Sequence, residues 1–167
     1  IPKGLVGSEM CIRDSSKDHQ QITNLIDKFS GQVSGESIIE KNQVEIKEIF
    51  EQENIEEILN KIYSLSQNGS EFSKNTEHEL KGKSPTSLKI TFKQIHMATE
   101  MSLRDALIME YRMVQRCQAS GDFYEGVRAM LVDKDRNPQW KPSNLDKVDE
   151  IWVNHFFEPL HEKDLKI

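Results

Sequence analysis

Aliphatic and aromatic residues recur along this chain at three- and four-residue intervals and never alternate convincingly, a pattern that predicts helices and no strands. Ile22, Leu25, Ile26 and Phe29 form the first stripe, which Ser30-Gly31 and Ser34-Gly35 interrupt. Ile46, Ile49 and Phe50 mark a second short face. Asn54 with Glu57 three residues later reads as a capping box, in which each side chain satisfies an exposed backbone N–H. Ile55, Ile58, Leu59 and Ile62 continue at helical spacing to Asn68-Gly69, a left-handed stop. Residues 68–84 read as a polar loop.

The second half carries denser signals. Ser84-Pro85 reads as an N-cap followed by a proline whose missing N–H costs nothing in the first turn, with Leu88, Phe92 and Ile95 as the buried face. Ser102-x-x-Asp105 opens a helix bearing Leu103, Leu107, Glu110, Tyr111, Val114 and Cys117, and Ser120-Gly121 closes it. Asp122-x-x-Glu125 opens another that runs to Val132. Pro138, Trp140 and Pro142 hold an extended connection, and Ser143-x-x-Asp146 starts a last helix with Leu145, Val148, Trp152 and Phe156. No internal repeat is visible.

Composition narrows the classes. The 167 residues are 36% hydrophobic with 8 glycines, below the usual apolar share of about 45–50%, so the core is thin. No run approaches the roughly 18 apolar residues of a spanning helix, and no membrane partner is expected. The net charge of -6 is matched by the stretch from Glu36 to Glu57, with eight Glu and two Lys. An acidic chain is a poor ligand for a phosphate backbone, so nucleic acid is not expected as a partner. The acidic stretch reads as a solvated helix surface, with a docking site for a basic partner as the alternative.

Residues 1–14 are read as non-native. The hexapeptide Glu9-Met10-Cys11-Ile12-Arg13-Asp14 back-translates to a string resembling a transposase end sequence used in library preparation. Segments 15–83 and 84–167 then divide the rest into a helical part with polar loops and a four-helix region. Setting Cys11 aside leaves Cys117 alone, a small buried hydrophobe with no intrachain disulfide partner.

Few residue groupings promise chemistry. Asp133 to Asn137 opens like a calcium loop, but Pro138 and Asn144 stand where Gly and a bidentate Glu belong. His19, His78, His96, His155 and His161 show no i, i+4 pair, and no phosphate-binding or nucleophile-elbow glycine motif is present. Glu110 stands out because it shares the stripe 103, 107, 110, 114 that is expected to face the core. A buried carboxylate needs a partner or its pKa rises. Arg128 is the preferred partner, Arg112 and Arg116 are alternatives, and a general base is the functional reading.

The segment Ser84-Pro-Thr-Ser-Leu-Lys-Ile-Thr91 resembles the start of the C-terminal helices of 3-hydroxyisobutyryl-CoA hydrolases, members of the crotonase superfamily. Glu110-Tyr-Arg112, the block Asp122 to Asp135, Pro138-Gln-Trp-Lys-Pro142 and Asp164-Leu-Lys-Ile167 continue the resemblance in order. It spans residues 15 to 167, and 122–142 is its most specific part.

The resemblance implies a mainly α segment, the C-terminal helical part of an α/β crotonase (ββα spiral) fold. It also implies a thioester hydrolase of valine catabolism that releases 3-hydroxyisobutyrate and coenzyme A. In that fold two backbone N–H groups hold the thioester oxyanion. This chain has no counterpart to the glycine-rich oxyanion segment or the acidic catalytic segment, so no catalytic, cofactor or metal residue is assigned. Coenzyme A enters as part of the substrate, not as a cofactor. The implied partners are an acyl-CoA and the missing N-terminal half, in the mitochondrial matrix of a eukaryote or the cytoplasm of a bacterium. Another crotonase, such as an enoyl-CoA hydratase-like enzyme or other acyl-CoA hydrolase, is the nearest alternative. A stand-alone acidic helical interaction module is the alternative from another class.

Overall fold

A computed structural model describes residues 19–30 and 35–167, which form two units, Ile1–Lys41 and Asn42–Ile167. The reading of residues 1–14 and the breaks at Gly31 and Ser34 lie outside the described residues. In the first unit, α1 (His19–Phe29) ends where Ser30 returns its N–H and hydroxyl to the Ile26 carbonyl. The short α2 (Ile38–Lys41) is held by a reciprocal capping box. Ser37 Oγ accepts from the Glu40 N–H at 3.1 Å and Glu40 accepts from the Ser37 N–H at 2.9 Å, which lowers the Glu40 pKa.

The second unit is helical throughout its described elements. Its order is α3 (Gln43–Phe50), α4 (Ile55–Gln67), α5 (Glu71–Lys81), α6 (Pro85–Ala98), α7 (Leu103–Ala119), α8 (Gly121–Val127) and α9 (Glu150–His155). Caps fall where the sequence puts them at Asn54, Ser84 and Ser102, each accepting the N–H three residues on. The Asn54 box is only half formed, because Glu57 accepts from the Glu53 N–H and not from Asn54. Gly69 takes φ +98°, the left-handed stop after α4.

Four expectations are overturned. The polar stretch 68–84 contains α5, capped by Ser70 and held by a fully buried Ser73, with Phe72 and Leu80 alone packing inward. Its Glu, Lys and His residues favour or tolerate helix without an apolar stripe. Ser120, not Asp122, is the N-cap of α8, which frees the Asp122 carboxylate for tertiary bonds. The helix from 122 does not run unbroken to Val132, since Arg128–Val132 is a π-helical turn. The last helix begins at Glu150 under an Asp149 cap, and Leu145–Lys147 is only a 3₁₀ turn.

Two apolar clusters hold the unit together. Ile49, Ile55, Ile58 and Ile62 bury one, with Leu88 and Phe92 packed against it. Ile90, Met109, Met113, Val148, Val153 and Phe156 form the other. α6 is therefore the shared wall, with Leu88 and Phe92 on one cluster and Ile90 on the other, while Ile95 is exposed. Lys89 ties this wall to its neighbours, pairing with Glu56 at 2.7 Å and donating to the Val148 carbonyl at 3.0 Å.

The acidic stretch is also less idle than a solvated face. Glu45 accepts from the Ser70 and Ser73 hydroxyls, Glu48 pairs with Lys61 at 2.6 Å, and Glu56 holds Lys89. Those carboxylates join helices to one another.

Candidate functional site

The 122–142 block is built around one helix start and one arginine. Ser84, itself buried, accepts from the Ser87 N–H at 3.1 Å and donates to Asp122 Oδ2 at 2.5 Å. The second Asp122 oxygen accepts from the Lys141 N–H at 3.0 Å. One carboxylate thus joins the start of α6, the start of α8 and the far end of the proline-rich connection. A cavity of about 250 Å³ opens beside it, lined by Thr86, Cys117, Phe123, Trp140 and Phe156 among others.

Arg128 closes the block. Its Nε and one terminal nitrogen donate to the two Glu125 oxygens at 2.9 and 2.8 Å, a bidentate pair. The other terminal nitrogen donates to Asp133 at 2.6 Å and Asp135 at 2.7 Å, while the nitrogen that binds Glu125 also donates to the Asn137 carbonyl at 3.2 Å. Lys134 and Arg136 adopt left-handed backbone at φ 56° and 54°, and these two turns flank Asp135 so that alternate carboxylates face the guanidinium. Arg128, with the Gln139 N–H at 2.6 Å, holds the Glu125 carboxyl at about 2, below its ordinary 4.5. Arg128 also lowers Asp135, and these partners raise Arg128 in turn.

Trp140 locks the connection down. Its Nε1–H donates to the Gly82 carbonyl at 3.1 Å, and its ring lies so close to Gly126 that a Cβ there would stand 3.3 Å from it. The Lys141–Pro142 peptide is cis.

Glu110 is not where its stripe predicts. It is exposed and accepts from Gln94 at 3.1 Å, and neither Arg128, Arg112 nor Arg116 is its partner. Arg112 binds Asp164 through Nε at 2.8 and 2.9 Å and through a terminal nitrogen, and Arg116 donates to the Pro159 carbonyl. The buried face of α7 is Met109 and Met113, while Leu103, Leu107 and Val114 are exposed. The general-base reading loses its premise, because the carboxylate is not buried.

Cys117 is half-buried against the second cluster, and burial pushes its thiol up, the direction of an inert packing residue. His96 lies on Phe92 with ring centroids 4.1 Å apart, and His155 contacts Glu158 at 2.9 Å. Among the described residues no group of three His, Cys, Asp or Glu is placed to hold a metal ion.

What this arrangement does chemically is hold shape. The side chains of Asp122, Glu125, Arg128, Asp133 and Asp135 are all committed to neighbours in or beside the block, while Lys134 and Arg136 contribute their backbone. The sequence signal for the hub is Glu125 three residues before Arg128, beside an Asp122 that bonds Ser84 and the Lys141 N–H, two acids that propensity alone spends on capping.

The comparisons with known proteins agree with that resemblance. The sequence profile of the enoyl-CoA hydratase/isomerase family matches residues 7–157. A mitochondrial 3-hydroxyisobutyryl-CoA hydrolase from Gallus gallus is 38% identical over 156 residues, covering 91% of this chain and 40% of the relative. One from Danio rerio is 43% identical, covering 78% of this chain and 33% of the relative. This chain therefore spans 40% or less of the length of these two curated relatives. An enoyl-CoA hydratase structure from Rhodobacter sphaeroides 2.4.1 superposes with a TM-score of 0.74 at 25% identity, over 87% of this chain and 44% of that one. With helices and no strand among the described residues, the architecture is mainly α, that of the helical C-terminal part of the crotonase fold. The chain belongs to the enoyl-CoA hydratase/isomerase family, and the curated relatives it resembles there are 3-hydroxyisobutyryl-CoA hydrolases.

Proposed function

We propose that this chain is the C-terminal helical part of a 3-hydroxyisobutyryl-CoA hydrolase of valine catabolism. In the whole enzyme, water adds to the thioester carbonyl, the C–S bond breaks, and 3-hydroxyisobutyrate and coenzyme A leave as carboxylate and thiol. The observation that carries this reading is the identity of 38–43% to enzymes of that name. The role of this chain is to supply a rigid helical layer, with the Ser84–Asp122 and Arg128 hubs fixing its connections. No side chain in it is assigned to the bond-breaking step. The reading implies the mitochondrial matrix for a eukaryotic source, supported by relatives named as mitochondrial, or the cytoplasm for a bacterial one.

The test is thiol release from 3-hydroxyisobutyryl-CoA, with crotonyl-CoA hydration as the comparison. It is run on the 167-residue chain and on a chimera. The chimera is the Gallus gallus relative with its matched region replaced by this chain. The chimera is expected to release thiol and leave crotonyl-CoA unhydrated, and the 167-residue chain to do neither. Hydration without thiol release would place the chain with the hydratases. Thiol release by the 167-residue chain alone would overturn the division of labour.

A further inference from the structure

Among the described residues, Ser37, Thr76, Ser102 and Ser143 each stand three positions before an acidic residue. Three of these hydroxyls are spent on the backbone. Ser37 accepts the Glu40 N–H at 3.1 Å, and Thr76 donates to the Phe72 carbonyl at 2.8 Å. Ser102 accepts the Asp105 N–H at 3.2 Å and donates to the Asp105 carboxylate at 2.6 Å. Ser143 differs. The helix that its spacing predicts starts instead at Glu150, and its hydroxyl has no hydrogen bond among the described residues. It is exposed, at the end of the non-helical run 133–144, and the exposed Asp146 has no ion pair there either.

A groove of about 610 Å³ is lined by Ser143 together with Lys81, Lys141, Lys147, Trp140 and Pro142 among others. None of its lining residues is acidic, in a chain whose net charge is -6. Lys81 pairs with Glu77 at 2.6 Å, but Lys141 and Lys147 have no ion pair among the described residues. Like charges gathered in a concave surface without a counter-charge favour an anion between them. A phosphoryl group brings a charge of about −1.5 to −2 and three acceptor oxygens, which matches two uncommitted ammonium groups with a third beside them.

We propose that Ser143 is a phosphorylation site, modified by an ATP-dependent kinase that reads the acid three residues on, and that Lys141, Lys147 and Lys81 hold the phosphate. The Ser143 oxygen forms the new O–P bond, and the bond from the γ-phosphorus to the bridging oxygen of ATP breaks. ADP leaves with that electron pair, and the hydroxyl proton passes to the base of the kinase. Ser143 is the acceptor because its hydroxyl is free, whereas those of Ser37 and Ser102 must first leave a helix cap. Once in place, the phosphate ties the proline-rich connection to the 3₁₀ turn that follows it and to the last residue of α5.

The experiment incubates the 167-residue chain with ATP and casein kinase II, an acid-directed serine kinase, and reads the sites by peptide mass spectrometry. Ser143 is expected to fill about fivefold faster than Ser37 or Ser102, whose caps must open first. Equal rates at the three serines, or no phosphate on Ser143, overturn the proposal. The lysine seat is read from the ³¹P titration of the phosphorylated chain, with the resonance assigned by its loss in Ser143→Ala. Its second ionisation, ordinarily near pH 6, is expected about half a unit lower, because the ammonium groups favour the dianion. Lys141→Gln with Lys147→Gln is expected to return it toward the ordinary value. An ordinary midpoint in the unsubstituted chain, or a lowered one that these substitutions leave in place, overturns the proposal. The outcome does not depend on the hydrolase reading.

Discussion

At the scale of single residues, Glu125 makes the pH dependence calculable in sign. Its carboxyl sits at about 2 in the fold against an ordinary 4.5, because Arg128 and the Gln139 N–H bind the charged form. A depressed pKa contributes stability that is complete above the unfolded value and is lost as pH falls through the folded one. The urea midpoint of the wild-type chain is therefore expected to fall more steeply between pH 5 and pH 2 than that of Glu125→Gln, and parallel curves would refute the assignment. Phe156, 1% exposed at the centre of its cluster, is expected to cost about 3–5 kcal/mol when truncated to Ala, measured by the same unfolding. Glu110→Ala should change stability by no more than about 0.5 kcal/mol, as befits an exposed side chain with one hydrogen bond. Glu110 also marks a limit of reading α7 from its pattern. A helix with two apolar faces offers two stripes, and periodicity does not say which one this chain buries. Arg128 shows the same limit from the other side, since two of its three carboxylate partners, Asp133 and Asp135, lie in a loop whose turns have no periodic signal.

At the scale of elements, three of the five caps expected from spacing hold, because a cap is largely a local bond, while Asp122 and Ser143 give way to Ser120 and Asp149. Asn54, Ser84 and Ser102 all cap where the spacing predicts. Ser84 does more than its motif announces, since the same oxygen that accepts the Ser87 N–H donates to Asp122. Ser84→Ala is expected to cost about 0.5–2 kcal/mol through the cap, and a double-mutant cycle with Asp122→Asn should be non-additive. Additive losses would mean the two helix starts are not coupled. α5 was not legible because its stability is not written as an apolar stripe. Its first turn is fixed by Glu45 from α3 binding Ser70 and Ser73, a tertiary bond between residues that sequence spacing does not relate. The start of α9 was misplaced for a similar reason: Ser143 and Asp149 are both acceptable caps, and the packing of Val148, Val153 and Phe156 decides between them.

At the scale of the whole molecule, the fold class was readable because helical periodicity and caps agree across most of the second unit, and no strand interrupts them among the described residues. The low apolar fraction takes on a structural meaning. Several of the hydrophobic residues that are present lie on uncovered faces, so the buried clusters are smaller than composition implies. The 167-residue chain is accordingly expected to bind a hydrophobic dye such as ANS while keeping its helical circular dichroism. Dye binding at the level of a sealed globular control would contradict the uncovered faces. Trp140 gives this molecule an internal reporter. Its indole is pinned between the Gly82 carbonyl and Gly126, whereas Trp152 stands 42% exposed on α9. In a Trp152→Phe variant, emission reads the seating of the 133–142 connection alone. Acid titration of that variant should therefore shift its fluorescence as Arg128 releases its carboxylates, making the loosening of one loop visible by its colour.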